Sequence, residues 1–333
     1  MAQIMSKYLL AGVNGSTAAS SLADVSLRST LLALSKLACD DFRNPAAVIV
    51  ADLDKAALQL VQRYKAQGVP AVLVRNEPHV VAPWNYSPRN IALFDYIVDF
   101  GRFKNESSLV LPWPQVWPKD WESYATSNDR LRRAVVINAN KLSLFGGELY
   151  SLRRRVIDSG YVDFFGPNWD SDFMHRLRIL LGETLIWIRN PRPIALSSTF
   201  GWFRKHAGYS GVSKNKLQTL SNYKVAFVAE NSREYMSEKL LDVLFAGCVP
   251  VYVGPPVARF GIPEGLVIEV EPNVESVKAG IDFGLSLDRE LWLSKLEAYL
   301  RAEGTKEYWS SERVLQDLVS NLDSWFENEN DEV

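Results

Sequence analysis

Short β-branched runs alternate with longer stretches of helical apolar spacing along most of this chain. Residues 7–13 read as a strand, 22–37 as a helix, 46–50 as a strand, 55–66 as a helix stopped by Gly68, and 69–74 as a strand. Strand and helix in alternation predict a parallel α/β sheet. Between residues 96 and 133 the rhythm breaks into a Pro- and Trp-rich segment, LPWPQVWPKDWESY, that cannot form one long regular element. The alternation then resumes with strand 134–137, helix 149–157, strand 225–228, a helix ending at Gly247, strand 249–253, strand 266–270 and helix 274–284. Two further helices, near 289–302 and 312–325, carry apolar residues at helical spacing. The pattern therefore predicts an N-terminal Rossmann-like domain over residues 1–130 and a second over 131–310. A C-terminal helix and tail, 311–333, is expected to return to the first domain.

The most informative stretch is 223–256, YKVAFVAENSREYMSEKLLDVLFAGCVPVYVGPP. Its first strand delivers Glu230, Asn231 and Ser232 to a carboxyl end, which is where ligands bind in open α/β sheets. Ser237 is placed to cap the following helix, so that Glu238 and Lys239 occupy the first turn. A helix N-terminus with a lysine attracts phosphate. An ordinary βαβ unit with turn-capping Asn and Ser fits the same pattern. In the first domain, Glu77 follows the third strand and is the candidate general base, with His79 as a competing proton carrier. Trp113, Trp117 and Trp121 fit an aromatic platform for a ligand or, in closer accord with the usual burial of Trp, core packing. Consecutive Arg153, Arg154 and Arg155 point three ways on a helix and are expected on a solvated face.

Composition narrows the function classes. The 333 residues are 47% hydrophobic and 23% charged, with a net charge of −2, so any anion site must be local and nucleic-acid binding is not expected. Cys39 and Cys248 are the only cysteines and read as core thiols, not as a disulfide or metal site. No apolar run approaches a membrane span and the start lacks a signal-peptide pattern, which points to a cytoplasmic protein. Asp170-Ser171-Asp172 reads as a helix cap and not as a metal motif.

The order Glu230-Asn231-Ser232, Tyr235, Ser237-Glu238-Lys239-Leu240 and then Val249-Pro250-Val251 before Gly254 resembles the donor signature of the α1,3/α1,4-fucosyltransferases. Glu77 before Pro78, Leu93-Phe94-Asp95-Tyr96, Asp163 to Gly166 and Arg204 ahead of Gly208-Tyr209 align with further elements of that family. The resemblance implies a GT-B fold, two Rossmann-like domains facing across a cleft, with GDP-β-L-fucose held by the second. By it, Arg204, Asn231, Tyr235, Glu238 and Lys239 bind the donor, with Arg204 and Lys239 on the diphosphate. Glu77 deprotonates the acceptor hydroxyl and fucose is transferred with inversion to a glycan. The resemblance implies no tightly bound cofactor, with Mn2+ or Mg2+ at most stimulatory. Two other readings stay open: a GT-B enzyme with another nucleotide-sugar donor, and a nucleotide-sugar-binding protein without catalysis.

Overall fold

The structure, a computed structural model, describes residues 8–11, 45, 47–101, 107–127, 129–189, 194 and 196–331. The glycine turn at Gly12 and Gly15, the helix at 22–37 and Cys39 lie outside the described residues. In chain order the strands are β1 (Tyr8–Ala11), β2 (Ala47–Ala51), β3 (Ala71–Arg75), β4 (Tyr96–Phe100), β5 (Leu109–Leu111), β6 (Leu131–Ile137), β7 (Val162–Phe165), β8 (Tyr223–Ala229), β9 (Val249–Val253) and β10 (Ile268–Glu269). The helices are α1 (Lys55–Lys65), α2 (Pro88–Ile91), α3 (Trp121–Ala125), α4 (Tyr150–Asp158), α5 (Phe173–Arg189), α6 (Lys216–Ser221), α7 (Lys239–Phe245), α8 (Val274–Ser286), α9 (Arg289–Arg301), α10 (Glu303–Trp309) and α11 (Ser311–Asp331). The chain divides into two units, Met1–Trp117 with Lys306–Val333, and Pro118–Thr305.

Unit 1 is built on a parallel sheet in the order β1-β2-β3-β4-β5. β2 and β3 are buried at every position, as expected of near-continuous Val, Ile and Ala strands covered on both faces. α1 lies on them through Ala57, Val61 and Tyr64, and its N-cap Asp54 accepts from the Ala57 amide at 2.7 Å. The C-terminal segment belongs to this unit. The Gln115 amide donates to the Trp309 carbonyl at 2.8 Å, the Ser311 amide donates to the Gln115 carbonyl at 2.9 Å, and the rings of Tyr96 and Trp325 lie 5.1 Å apart.

Unit 2 carries a second parallel sheet in the order β10-β9-β8-β6-β7. The chain moves outward from β6 to β7 and then resumes on the other side of β6 with β8. The strand order therefore reverses between β6 and β8, and their carboxyl ends form a topological switch point. Residues 118–130 cluster with this unit, although the sequence placed them in the first domain. The Arg130 guanidinium explains this: it donates to the carbonyls of Tyr124 at 2.6 Å, Ala125 at 3.1 Å and Ala246 at 2.7 Å. Arg289 donates to the Ala125 and Gly247 carbonyls at 2.7 and 3.0 Å. Gly247 has a φ of +64°, and a Cβ there would stand 2.5 Å from the Ala125 Cα, so the close approach of α3 needs glycine.

The expectation of a solvated arginine face on α4 is corrected. Arg153 and Arg154 are buried and only Arg155 is exposed, because α4 packs between the sheet edge and the loop carbonyls that these guanidinium groups hold. Trp113 and Trp121 are core residues. Among the described residues no helix is long and apolar enough to cross a membrane.

Candidate functional site

At the switch point, β8 is followed by Glu230, whose side chain is fully buried. Burial of a carboxylate demands donors, and the chain supplies three. Ser237 gives its amide at 3.2 Å and its hydroxyl at 2.7 Å, and Lys239 Nζ approaches Glu230 at 3.2 Å. Lys239 also donates to the Ser237 hydroxyl at 2.6 Å. Ser237 was expected to cap α7. Its hydroxyl instead faces Glu230, and the N-cap position is Glu238, which makes no side-chain cap bond. The backbone donor that the sequence reserved for a phosphate is thus partly taken by a carboxylate of the same chain.

A second ion group adjoins the first. Lys216 on α6 bonds Asp242 on α7 at 2.5 Å and lies 3.9 Å from Glu238. Burial works against the Lys216 charge, yet Asp242 and Glu238 raise its pKa above the ordinary lysine value. Burial likewise opposes the Glu238 carboxylate, but Lys239 and Lys216 bring its pKa below the usual range. Arg153 closes the rear: its Nη2 donates to the carbonyls of Ala229 and Glu230 at 2.7 and 2.8 Å and to Asn231 Oδ1 at 3.1 Å. Burial lowers its pKa, opposed by Tyr150, Glu230, Glu148 and Glu238. Beside the cluster, Asn138, Lys216, Phe227, Lys239 and Val243 line a cavity of about 10 Å³, room for about one water-sized group. A nucleotide does not fit inside it.

Unit 1 presents a different edge. Asp52 follows β2 and Glu77 follows β3, so two carboxylates stand at neighbouring carboxyl ends. Asp52 Oδ1 accepts from the Asn76 amide at 3.0 Å, the Glu77 amide at 3.4 Å and Asn85 Nδ2 at 2.6 Å. Its φ of 52° is uncommon for a residue other than glycine. Burial and the charge of Glu77 push its pKa up to about 7, against the pull of those amide donors.

Of the residues singled out in the sequence, Asn231, Glu238 and Lys239 meet at the unit 2 edge. Tyr235 is buried in the loop between β8 and α7. Arg204 lies elsewhere in unit 2, on a turn against the end of α4, where Nη1 meets Asp158 Oδ2 at 3.2 Å and the side chain is 64% exposed. Glu77 lies in unit 1, and its carbonyl accepts from the Tyr86 hydroxyl at 2.8 Å. Sequence reasoning missed Lys216, Asp242, Arg153 and Asp52 as site candidates. Asp242 carried a signal, since an acid between Leu241 and Val243 in an otherwise apolar helix requires a buried partner. Asp172 caps α5 by accepting from the His175 amide at 2.7 Å. Among the described residues no group of three or more His, Cys, Asp or Glu side chains is gathered to hold a metal ion.

A scan against models of known protein families finds no match. Solved structures are similar in fold. The Anabaena protein HepE, in complex with UDP and glucose, aligns over 96% of this chain and 100% of its own at 9% identity and a TM-score of 0.56. HepE in complex with UDP-glucose aligns over the same shares at 8% identity and a TM-score of 0.54. The α,α-trehalose 6-phosphate synthase from Burkholderia multivorans aligns over 92% of this chain and 76% of its own, at 14% identity and a TM-score of 0.53. With two Rossmann-like units and C-terminal helices, the fold is GT-B.

These findings overturn the likeness to the α1,3/α1,4-fucosyltransferases. GDP-fucose as donor, a GDP-sugar as partner and fucosyl transfer as the activity are withdrawn, and so is the suggestion of Mn2+ or Mg2+ stimulation that came with them. The physical reason is local. The string that carried the likeness spans few residues, and Glu230, Ser237 and Lys239 within it are bonded to one another. Any parallel unit that must satisfy a buried strand-end carboxylate can converge on such a string.

Proposed function

We propose that this chain is a glycosyltransferase that takes a UDP-sugar, such as UDP-glucose, and passes the sugar to a hydroxyl of a glycan acceptor. The observation that carries this reading is the ion cluster of Glu230, Lys239, Glu238, Lys216 and Asp242 at the β6/β8 switch point. The complexes of HepE with UDP and with UDP-glucose support a uridine donor for the same fold. In this reading Lys239 lies nearest the donor diphosphate, with Arg204 reaching it by exchanging Asp158 for a phosphate oxygen. Asn231 and Tyr235 shape the donor loop, and Glu238 holds sugar hydroxyls. Glu77 takes the acceptor proton, and Asp52 beside it tunes that base. The reading places the enzyme in the cytoplasm, consistent with the free, buried thiol of Cys248.

The test is nucleotide release from UDP-glucose and a set of other UDP- and GDP-sugars, with and without disaccharide acceptors. Acceptor-stimulated UDP release that UDP inhibits and GDP does not is the expected result. Release from GDP-sugars alone overturns the uridine assignment. Tight UDP-sugar binding with neither transfer nor slow hydrolysis would leave a binding protein. A product of inverted anomeric configuration is expected if Glu77 acts as base in a single displacement, and retention would remove it from that role.

A further inference from the structure

Helix α5 turns an apolar stripe to solvent. Met174, Leu181, Leu185 and Ile188 are 66%, 58%, 56% and 59% exposed, although a folded chain gains by burying such side chains. At 100° per residue the four fall on one narrow line, about 21 Å long from first to last. Phe173 at the start of the helix is also exposed, and its ring lies 5.2 Å from that of exposed Phe203 on the following turn. The stripe is thus continued by two aromatic rings at one end.

The flank of the stripe is basic, while the exposed acids Asp170 and Asp172 lie just before Phe173. Arg178 and Arg189 are exposed and lie one step around the helix from it, while Lys205 and Arg204, the latter paired with Asp158, are exposed next to Phe203. The only acid of α5, Glu183, sits on the opposite face of the helix by the same periodicity. The chain as a whole carries a net charge of −2, so this is a local basic surface on an acidic protein. A line of aliphatic side chains with aromatic residues at one end and arginines along its flank is the chemistry of a helix lying in a membrane interface. The apolar groups enter the acyl boundary, and the guanidinium groups reach up to anionic headgroups along their apolar stems. A partner protein of matching apolar character would not require the cations.

We propose that unit 2 docks on anionic membrane surfaces through α5 and the Phe203 turn, as a peripheral and reversible contact. This does not depend on the identity of the donor sugar. The experiment is co-sedimentation of the full chain with vesicles of phosphatidylcholine alone and of phosphatidylcholine with phosphatidylglycerol, at low and high salt. Binding only to the anionic vesicles, weakened by salt, is expected. Arg178→Glu with Arg189→Glu should lower the partition at least fivefold for each arginine removed. Leu181→Glu with Leu185→Glu should abolish it, while circular dichroism and melting stay those of the wild type because both positions are exposed. Three outcomes would overturn the proposal. One is no binding to either vesicle. Another is binding unaffected by both double variants. The third is a self-association, seen by sedimentation velocity without vesicles, that Leu181→Glu with Leu185→Glu dissolves; the stripe would then be a contact between copies.

Discussion

The carboxyl edges of the two sheets solve the same problem in opposite ways. In unit 2 the acids Glu230, Glu238 and Asp242 are interleaved with Lys239 and Lys216, and Arg153 holds the strand end from behind. In unit 1 the bonds to Asp52 come from amides, and the charge beside it is another carboxylate, Glu77. The lysines hold Glu238 ionised, while burial still raises the pKa of Asp242 against the pull of Lys216, and they put ammonium groups where an incoming anion can compete for them. Neighbouring acids held by amides do the reverse, and shift one of them toward holding a proton near neutral pH. One edge is suited to a phosphate and the other to proton transfer, on sheets of the same parallel type.

The sharpest test removes the support behind the unit 2 edge. Arg153 is buried with acceptors from three successive residues, and its loss strands two carbonyls and leaves Glu230 with less compensation. Arg153→Leu should lower unfolding stability by about 3 to 5 kcal/mol, the usual cost of removing one partner from a buried ionic group. Denaturant titration reads this as a lower midpoint at an unchanged slope. A change below about 1 kcal/mol would mean that the strand end is held by its amide bonds and not by charge.

Lys239→Ala comes next and distinguishes chemistry from scaffolding. If Lys239 neutralises a leaving diphosphate, turnover at saturating donor should fall by roughly a hundred- to a thousand-fold, about 2.7 to 4 kcal/mol in the barrier. The melting temperature should fall too, since Glu230 stays buried with only Ser237 to hold it. Full turnover with lowered melting would make the whole cluster structural and erase the contrast between the edges.

Asp52→Asn probes the other side, and its sign follows from the raised pKa. Below the ordinary value of 3.8 Asp52 is protonated in both folded and unfolded chains and contributes nothing. As pH rises to about 7 the unfolded chain has lost this proton and the folded one still holds it, so stability falls across that window and the deficit is complete above it. Asparagine removes the deficit. The variant should exceed the wild type by about 1 to 2 kcal/mol at pH 8, a figure reduced for solvent screening of a half-buried carboxyl, with the gap closing toward pH 4. A pH-independent difference would show that Asp52 is ionised throughout.

How much of this could be read from the sequence follows from where the partners lie. The α/β alternation is local, and seven of the ten described strands were legible from it, whereas β4 and β5, in the stretch where the rhythm breaks, and β7 were not. Asn231, Glu238 and Lys239 were legible because one short stretch holds them all. Arg153 reaches Ala229 across 76 positions, and Lys216 reaches Asp242 across 26, and no local pattern joins such pairs. Arg153 and Arg154 of α4 were misread for the same reason: their acceptors are carbonyls far along the chain. Asp52 was invisible because its left-handed backbone and its nearness to Glu77 exist only once β2 and β3 pair. The boundary of unit 2 was hidden in the same way, since Arg130 and Arg289 gather α3 through main-chain carbonyls that any sequence possesses.

Arg204 gives the smallest expected effect on stability and the finest test of the unit 2 edge. Its bond to Asp158 lies at an exposed site, where such a pair contributes roughly 0 to 1 kcal/mol. Arg204→Ala should therefore shift the melting temperature hardly at all. The same weakness makes the guanidinium free to exchange Asp158 for a phosphate, since little is lost when the pair opens. His206 remains to hold Asp158, its Nδ1 lying 2.7 Å from Oδ1. A donor KM raised by roughly tenfold, with turnover falling less than in Lys239→Ala, would make Arg204 a donor-binding group recruited from outside the buried cluster. An unchanged KM would confine phosphate recognition to the cluster itself, and the contrast between an ion-paired edge and an acidic one would then rest on Lys239 and Lys216 alone.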